Sequence, residues 1–107
     1  MADFQCIECD HAKQLLDEGA ILLDIRDSQS FDQAHPKLAV NLNNDNLQQL
    51  LSPVAKDQAI LVLCYHGISS KGAAEFIGSQ GFSLVSSING GFEAWQNLYP
   101  QDIISTQ

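Results

Sequence analysis

Basic side chains are scarce in this chain. Five Lys and Arg stand against 13 Asp and Glu, a formal net charge of −8 with a pI near 4.4, and that balance argues against nucleic acid and anionic membranes as partners. Three cysteines are few and odd in number, which fits a reducing compartment better than a disulfide framework. No apolar run approaches the roughly 20 residues of a membrane span. The opening Met1-Ala2-Asp3-Phe4-Gln5 has neither the basic nor the apolar region of a secretory leader. The expectation is a cytoplasmic protein with no membrane partner.

What is present suits one globular domain over residues 1–107, with 45% hydrophobic residues and enough length to bury a core without staples. Neither an internal repeat nor a low-complexity tract interrupts it. Hydrophobic patterning predicts strands over 4–8, 20–24, 38–42, 59–64 and 83–86, and helices over 10–19, 28–34, 43–52, 70–80 and 92–98. Serine is expected to cap the helix at 28, Gly19 and Gly81 to stop two others, and the tail from Gln101 to be loose. Strands interleaved with helices imply an α/β layer structure with a largely parallel sheet, whose ligands bind where the carboxyl ends of the strands gather.

One stretch organises the rest: Ala59-Ile60-Leu61-Val62-Leu63-Cys64-Tyr65-His66-Gly67-Ile68-Ser69-Ser70-Lys71. An apolar strand ends on a cysteine, a short loop containing glycine follows, and Ser69 or Ser70 is placed to cap the next helix. The first turn of a helix has backbone N–H groups without internal acceptors, and the dipole is positive there. A thiolate at that point is stabilised, so Cys64 is expected to ionise more readily than a free cysteine and to act as a nucleophile. From residue 59 to 78 the only acid is Glu75, while His66 and Lys71 lie beside the loop. Gly72, Ala73 and Ala74 are expected to let the helix lie close on the sheet.

Other candidates have plainer readings. Cys6 and Cys9 lack a second pair at metal-site spacing; strand alternation predicts that Cys6 is hidden and that Cys9 lies near a helix start. Arg26, between Asp24 and Asp27, reads as an internal ion pair that organises a loop. His35 precedes Pro36 and reads as structural, and Phe92 with Trp95 reads as helix packing.

Three segments together resemble the single-domain rhodanese family: Leu23-Asp24-Ile25-Arg26-Asp27 with His35 and Ala39-Val40-Asn41-Leu42, the Cys64 to Ala74 stretch, and Asn89-Gly90-Gly91-Phe92-Glu93-Ala94-Trp95. The resemblance implies a rhodanese-like five-stranded, largely parallel sheet flanked by helices on both faces. It implies a thiosulfate sulfurtransferase in which Cys64 carries sulfur as a persulfide and passes it to cyanide or to a thiol or dithiol such as thioredoxin, in a ping-pong cycle without cofactor or metal. The substrate-binding residues it implies are Tyr65, His66, Gly67, Ile68 and Ser69, whose main-chain amides surround the sulfur. Many members carry arginine where Ser69 stands and asparagine where Ile68 stands; Lys71 is expected to supply part of the missing charge.

Rival readings share the strand, loop and helix. A cysteine phosphatase or arsenate reductase needs an arginine six positions after the cysteine to grip phosphoryl oxygens, and Ser70 stands there. A noncatalytic rhodanese-like binding module and a persulfide carrier for another enzyme are the remaining alternatives.

Overall fold

Every residue from Ile60 to Leu63 is apolar and fully buried, which only a strand covered on both faces achieves. In the computed structural model, which describes residues 4–106, this segment is the middle of the main sheet. Met1 to Asp3, part of the stretch read above as leaderless, and Gln107 lie outside the described residues. The elements run β1 (Gln5–Ile7), α1 (Cys9–Asp17), β2 (Ile21–Asp24), α2 (Ser28–Gln33), β3 (His35–Pro36), β4 (Ala39–Asn41), α3 (Leu47–Leu51), β5 (Ile60–Leu63), α4 (Ser69–Ser79), β6 (Val85–Ile88), α5 (Gly91–Leu98), a 3-10 turn (Pro100–Asp102) and β7 (Ile103–Ile104).

Five strands form an all-parallel sheet in the order β1-β6-β5-β2-β4. The predicted α/β class and parallel sheet are therefore observed. Along β5, Leu61 and Leu63 face one core with Leu16, Ile88, Phe92 and Trp95. Ile60 and Val62 face the other, with Ala74, Ile77, Phe82 and Val85. Successive strand side chains point to opposite faces, so one strand is the floor of two cores. From β2 the chain moves outward to the edge strand β4, then returns to β5 and leaves in the other direction to β6. The carboxyl ends of β2 and β5 thus flank the reversal where such sheets bind ligands.

Several local expectations are corrected. The last sheet strand is Val85–Ile88 rather than 83–86: Leu84 is left 55% exposed while Ser86 and Ser87 are buried, so the small polar residues rather than the leucine face the packed layers. Helix α2 is capped by Asp27, whose carboxylate accepts from the Ser30 amide at 3.0 Å, and not by Ser28. Helix α3 is short because the Asn43 side chain accepts from the Asp45 and Asn46 amides at 2.8 and 2.9 Å, and that local turn replaces the first part of the expected helix. Of the two cysteine expectations, the position of Cys9 near a helix start is observed and the burial of Cys6 is not. Cys6 is exposed on the edge strand, and Cys9 is buried at the start of α1, with its thiol pushed up by burial and then by Glu8 and Asp10.

The tail is not loose. Ile103–Ile104 pairs antiparallel with His35–Pro36, Trp95 Nε1 donates to Asp102 at 3.0 Å, and Thr106 donates from its amide and hydroxyl to Asp32 at 2.9 and 3.0 Å. The end of the chain thereby straps α2 in place.

Gly72 also departs from expectation. Ala74 is the residue pressed on the sheet, fully buried, whereas a Cβ at Gly72 would meet nothing within 4 Å. The glycine only loosens the exposed face of α4, so Gly72→Ala is expected to raise stability by about 0.5–1 kcal/mol, read as a higher thermal midpoint. A lower midpoint would contradict the open surroundings of this position.

Candidate active site

Strand β5 delivers Cys64 to the carboxyl edge of the sheet, where it is 5% exposed. Its backbone there is held by α5. The Cys64 carbonyl accepts from the Phe92 amide at 2.8 Å and the Tyr65 carbonyl from the Glu93 amide at 3.0 Å, so the first turn of α5 binds both. With its carbonyls drawn toward α5, the loop has amides left to turn inward. Gly67, at φ +88°, donates its N–H to Cys64 Sγ at 3.1 Å, and the Ser70 amide donates at 3.3 Å. A side chain on Gly67 would strike the backbone of Ile88 and Gly90, which explains the glycine between these residues.

A third partner comes from a side chain. Ser70 Oγ lies 3.3 Å from Cys64 Sγ and 2.7 Å from Ser87 Oγ, and both serines are fully buried. When the cysteine is a thiol it donates to Ser70; when it is a thiolate the Ser70 hydroxyl donates to it and accepts in turn from Ser87. Burial pushes the Cys64 thiol up, but the Ser70 hydroxyl and the amides of Ser70, Gly67 and His66 outweigh it, and the thiol lies below its ordinary value. The expected cradle is thus present with a different membership. Ser70 does not cap α4 with its hydroxyl: the cap position is Ile68 without a side-chain bond, and Ser70 turns inward to the sulfur.

Removal of that hydroxyl has a measurable consequence. In Ser70→Ala the pH midpoint of Cys64 alkylation is expected to rise and the rate at neutral pH to fall about tenfold, the worth of one hydrogen bond to a charged group. An unmoved midpoint would mean that the amides alone hold the thiolate.

A cavity of about 570 Å³ opens over the sulfur, with walls from Arg26, Ala34, Cys64, Tyr65, Ser69 and Phe92 among others. Arg26 is committed before any substrate arrives. It makes a bidentate pair with the buried Asp24, Nη2 to Oδ2 at 2.8 Å, donates to the Ala34 carbonyl at 2.7 Å, and lies 3.9 Å over the Phe92 ring. Asn41 fixes the same turn through bonds to the carbonyls of Asp24 and Arg26, both at 2.9 Å. Reading Arg26 as a loop organiser agrees with this geometry.

The six residues expected to bind substrate are spread unevenly. Tyr65 and Ser69 line the cavity, Gly67 reaches the sulfur through its amide, and His66 pairs on the outside with Glu93, Nδ1 to Oε1 at 3.4 Å. Ile68 is 73% exposed at the rim. Lys71 stands in the first turn of α4 on its solvent side. Sequence reasoning missed Ser70 as a sulfur ligand, and it missed Ser87 altogether. A serine in a strand buried at every position must find a partner, and that signal was hidden when the strand was placed two residues early.

Comparison with known proteins agrees with this architecture. The family model of the rhodanese-like domain matches residues 8–98. Among solved structures, the chain is similar to reduced CoADR-RHD from Bacillus anthracis (TM-score 0.79, 23% identity), covering 94% of this chain and 18% of that one, so it spans less than a fifth of that protein. It is also similar to a rhodanese-like domain protein from Staphylococcus aureus (TM-score 0.73, 21% identity, 86% of this chain and 91% of that one). A rhodanese-related protein from Thermoplasma volcanium superimposes with TM-score 0.73 at 21% identity, over 89% and 93% of the two chains. Those identities speak for the fold, and the family match extends from the end of β1 through α5 and includes the whole cysteine loop: this chain belongs to the rhodanese-like domain family.

Proposed function

We propose that this chain is a thiosulfate:cyanide sulfurtransferase, a small enzyme of the kind represented by GlpE, which its three motif segments resemble. The observation that carries the proposal is the sulfur of Cys64 with two amides and a hydroxyl at 3.1, 3.3 and 3.3 Å. In the first half of the cycle the Cys64 thiolate attacks the outer sulfur of thiosulfate. The sulfur–sulfur bond of the donor breaks, sulfite leaves with the electron pair, and Cys64 holds a persulfide. In the second half cyanide, a thiol or a dithiol such as thioredoxin attacks the outer sulfur and the Cys64 thiolate is restored. No general base is needed where the thiol enters ionised, which its lowered pKa favours, and every leaving group departs as an anion. Gly67 presents its amide to the sulfur, and Tyr65, His66, Ile68, Ser69 and Lys71 are the proposed surroundings of the donor.

The test is direct. Protein treated with thiosulfate and freed of excess reagent should gain the mass of one sulfur atom on the peptide containing Cys64, with one sulfite released per site, and cyanide should remove it as thiocyanate. If sulfite and the added sulfur both fail to appear, thiosulfate is not a donor for this site.

A further inference from the structure

The cavity over Cys64 has a neighbour toward α4. A second groove, of about 620 Å³, lies between α3, α4 and the turn after β2, and it shares Ile25, Arg26 and Asp27 with the walls of the first. The two spaces adjoin along these three residues and are together termed the trench. The groove is floored by Leu47, Ala73 and Ile77 and by Phe76, which is 46% exposed. Cyanide and thiosulfate, of two and five heavy atoms, are far smaller than the first cavity alone and need no such surface.

Charge decides what the trench suits. The one cation in its walls, Arg26, is already paired with Asp24 and stacked on Phe92. The other charges in its walls are the exposed carboxylates of Asp27, which accepts from Ser30, and of Asp45. Asp27 stays ionised, its carboxyl held below the ordinary range first by the Ser30 hydroxyl and then by the Ser30 amide. An apolar floor between acidic walls is complementary to a segment with apolar and basic side chains, and the chain's net charge of −8 favours a basic partner at longer range.

We propose that this groove docks the sulfur acceptor, and that the acceptor is a cysteine in an extended protein segment flanked by apolar and basic residues. The proposal rests on the sulfur-transfer reading and names its second substrate. The docked thiolate attacks the outer sulfur of the Cys64 persulfide, the bond between the two sulfurs breaks, and its electron pair returns to Cys64 Sγ. The acceptor leaves as a persulfide anion and Cys64 is left as the thiolate, so charge and electrons balance and no outside oxidant or reductant is consumed.

The experiment uses the whole chain and three short peptides: one with a cysteine between leucine and lysines, one with glutamates in place of the lysines, and the lysine peptide with serine for cysteine. The serine peptide should bind by fluorescence polarisation, and Phe76→Glu and Asp45→Lys should each weaken it about tenfold. Discharge of the persulfide by the lysine peptide should exceed that by the glutamate peptide about tenfold and fall in the same variants, while discharge by cyanide is unchanged. Equal behaviour of the two charged peptides, or indifference to both substitutions, overturns the proposal. So does a dimer of this chain that Phe76→Glu abolishes, which would give the groove to a second copy. If thiosulfate leaves Cys64 unloaded while the serine peptide still binds through Phe76 and Asp45, the donor reading falls and the docking groove stands.

Discussion

Cys64→Ser removes all persulfide formation and all sulfite release from thiosulfate, while the unfolding free energy at pH 6 changes by no more than about 1 kcal/mol. Serine fits the site, and the amides of Gly67 and Ser70 keep an acceptor in the same direction. It fails chemically: an alcohol does not ionise near neutrality even among these donors, and oxygen forms no stable bond to sulfane sulfur of the kind a persulfide needs. The same variant carries a pH signature. Folded Cys64 titrates below its ordinary value, so between the folded value and the unfolded one, about 8.5, the unfolded chain binds the extra proton. Stability from this group is therefore present in full above the unfolded value and is lost as pH falls through the folded one. Wild-type protein should gain on Cys64→Ser as pH rises from 6 to 9 in chemical denaturation. A gap that stays constant over that range would show that the folded thiol is not specially stabilised, whatever the activity does.

The elements that were legible in the sequence are those whose cause is local. An unbroken apolar run can only be a strand buried on both sides, and a cysteine, a glycine and two serines after it mark a loop that exposes backbone; β5 and the anion cradle follow from residues 59–71 alone. The elements that were misread depend on distant neighbours. Ser70 has the right chemistry for a cap, and it is diverted because Cys64, just past β5, and Ser87, on β6, meet it inside. Leu84 outranks Ser87 in hydrophobicity, yet the serine is buried because α4 and the loop press on that strand. Cys6 lies on a sheet edge, where alternation does not hide a side chain. The terminal strand β7 is two residues long and finds its partner about 70 positions earlier, a pairing that no window of sequence contains.

The second large effect lies outside the loop, at a residue with no side chain. In Gly91→Ala the protein is expected to lose about 3 kcal/mol of stability, a fall of roughly 10–20 °C in the thermal midpoint. Two costs combine. Gly91 has φ +60°, where a side chain costs about 1–2 kcal/mol, and its Cβ would press on the carbonyls of Cys64 and Tyr65, the latter at 2.5 Å, adding an overpacking penalty of about 1–3 kcal/mol. Those carbonyls are the ones that α5 must hold for the loop amides to face the sulfur. The strain therefore falls on the nucleophile: displacement of the Cys64 and Tyr65 peptides lengthens the bonds from Gly67 and Ser70 to Sγ, and Cys64 alkylation should shift to higher pH in the folded variant. Gly19→Ala separates the two costs. Gly19 also has positive φ, +107°, but a Cβ there meets nothing within 4 Å and the residue is far from the loop, so it should lose only the backbone part and leave Cys64 unchanged. Equal losses in the two variants, or a Cys64 titration untouched by Gly91→Ala, would mean that α5 does not aim the loop.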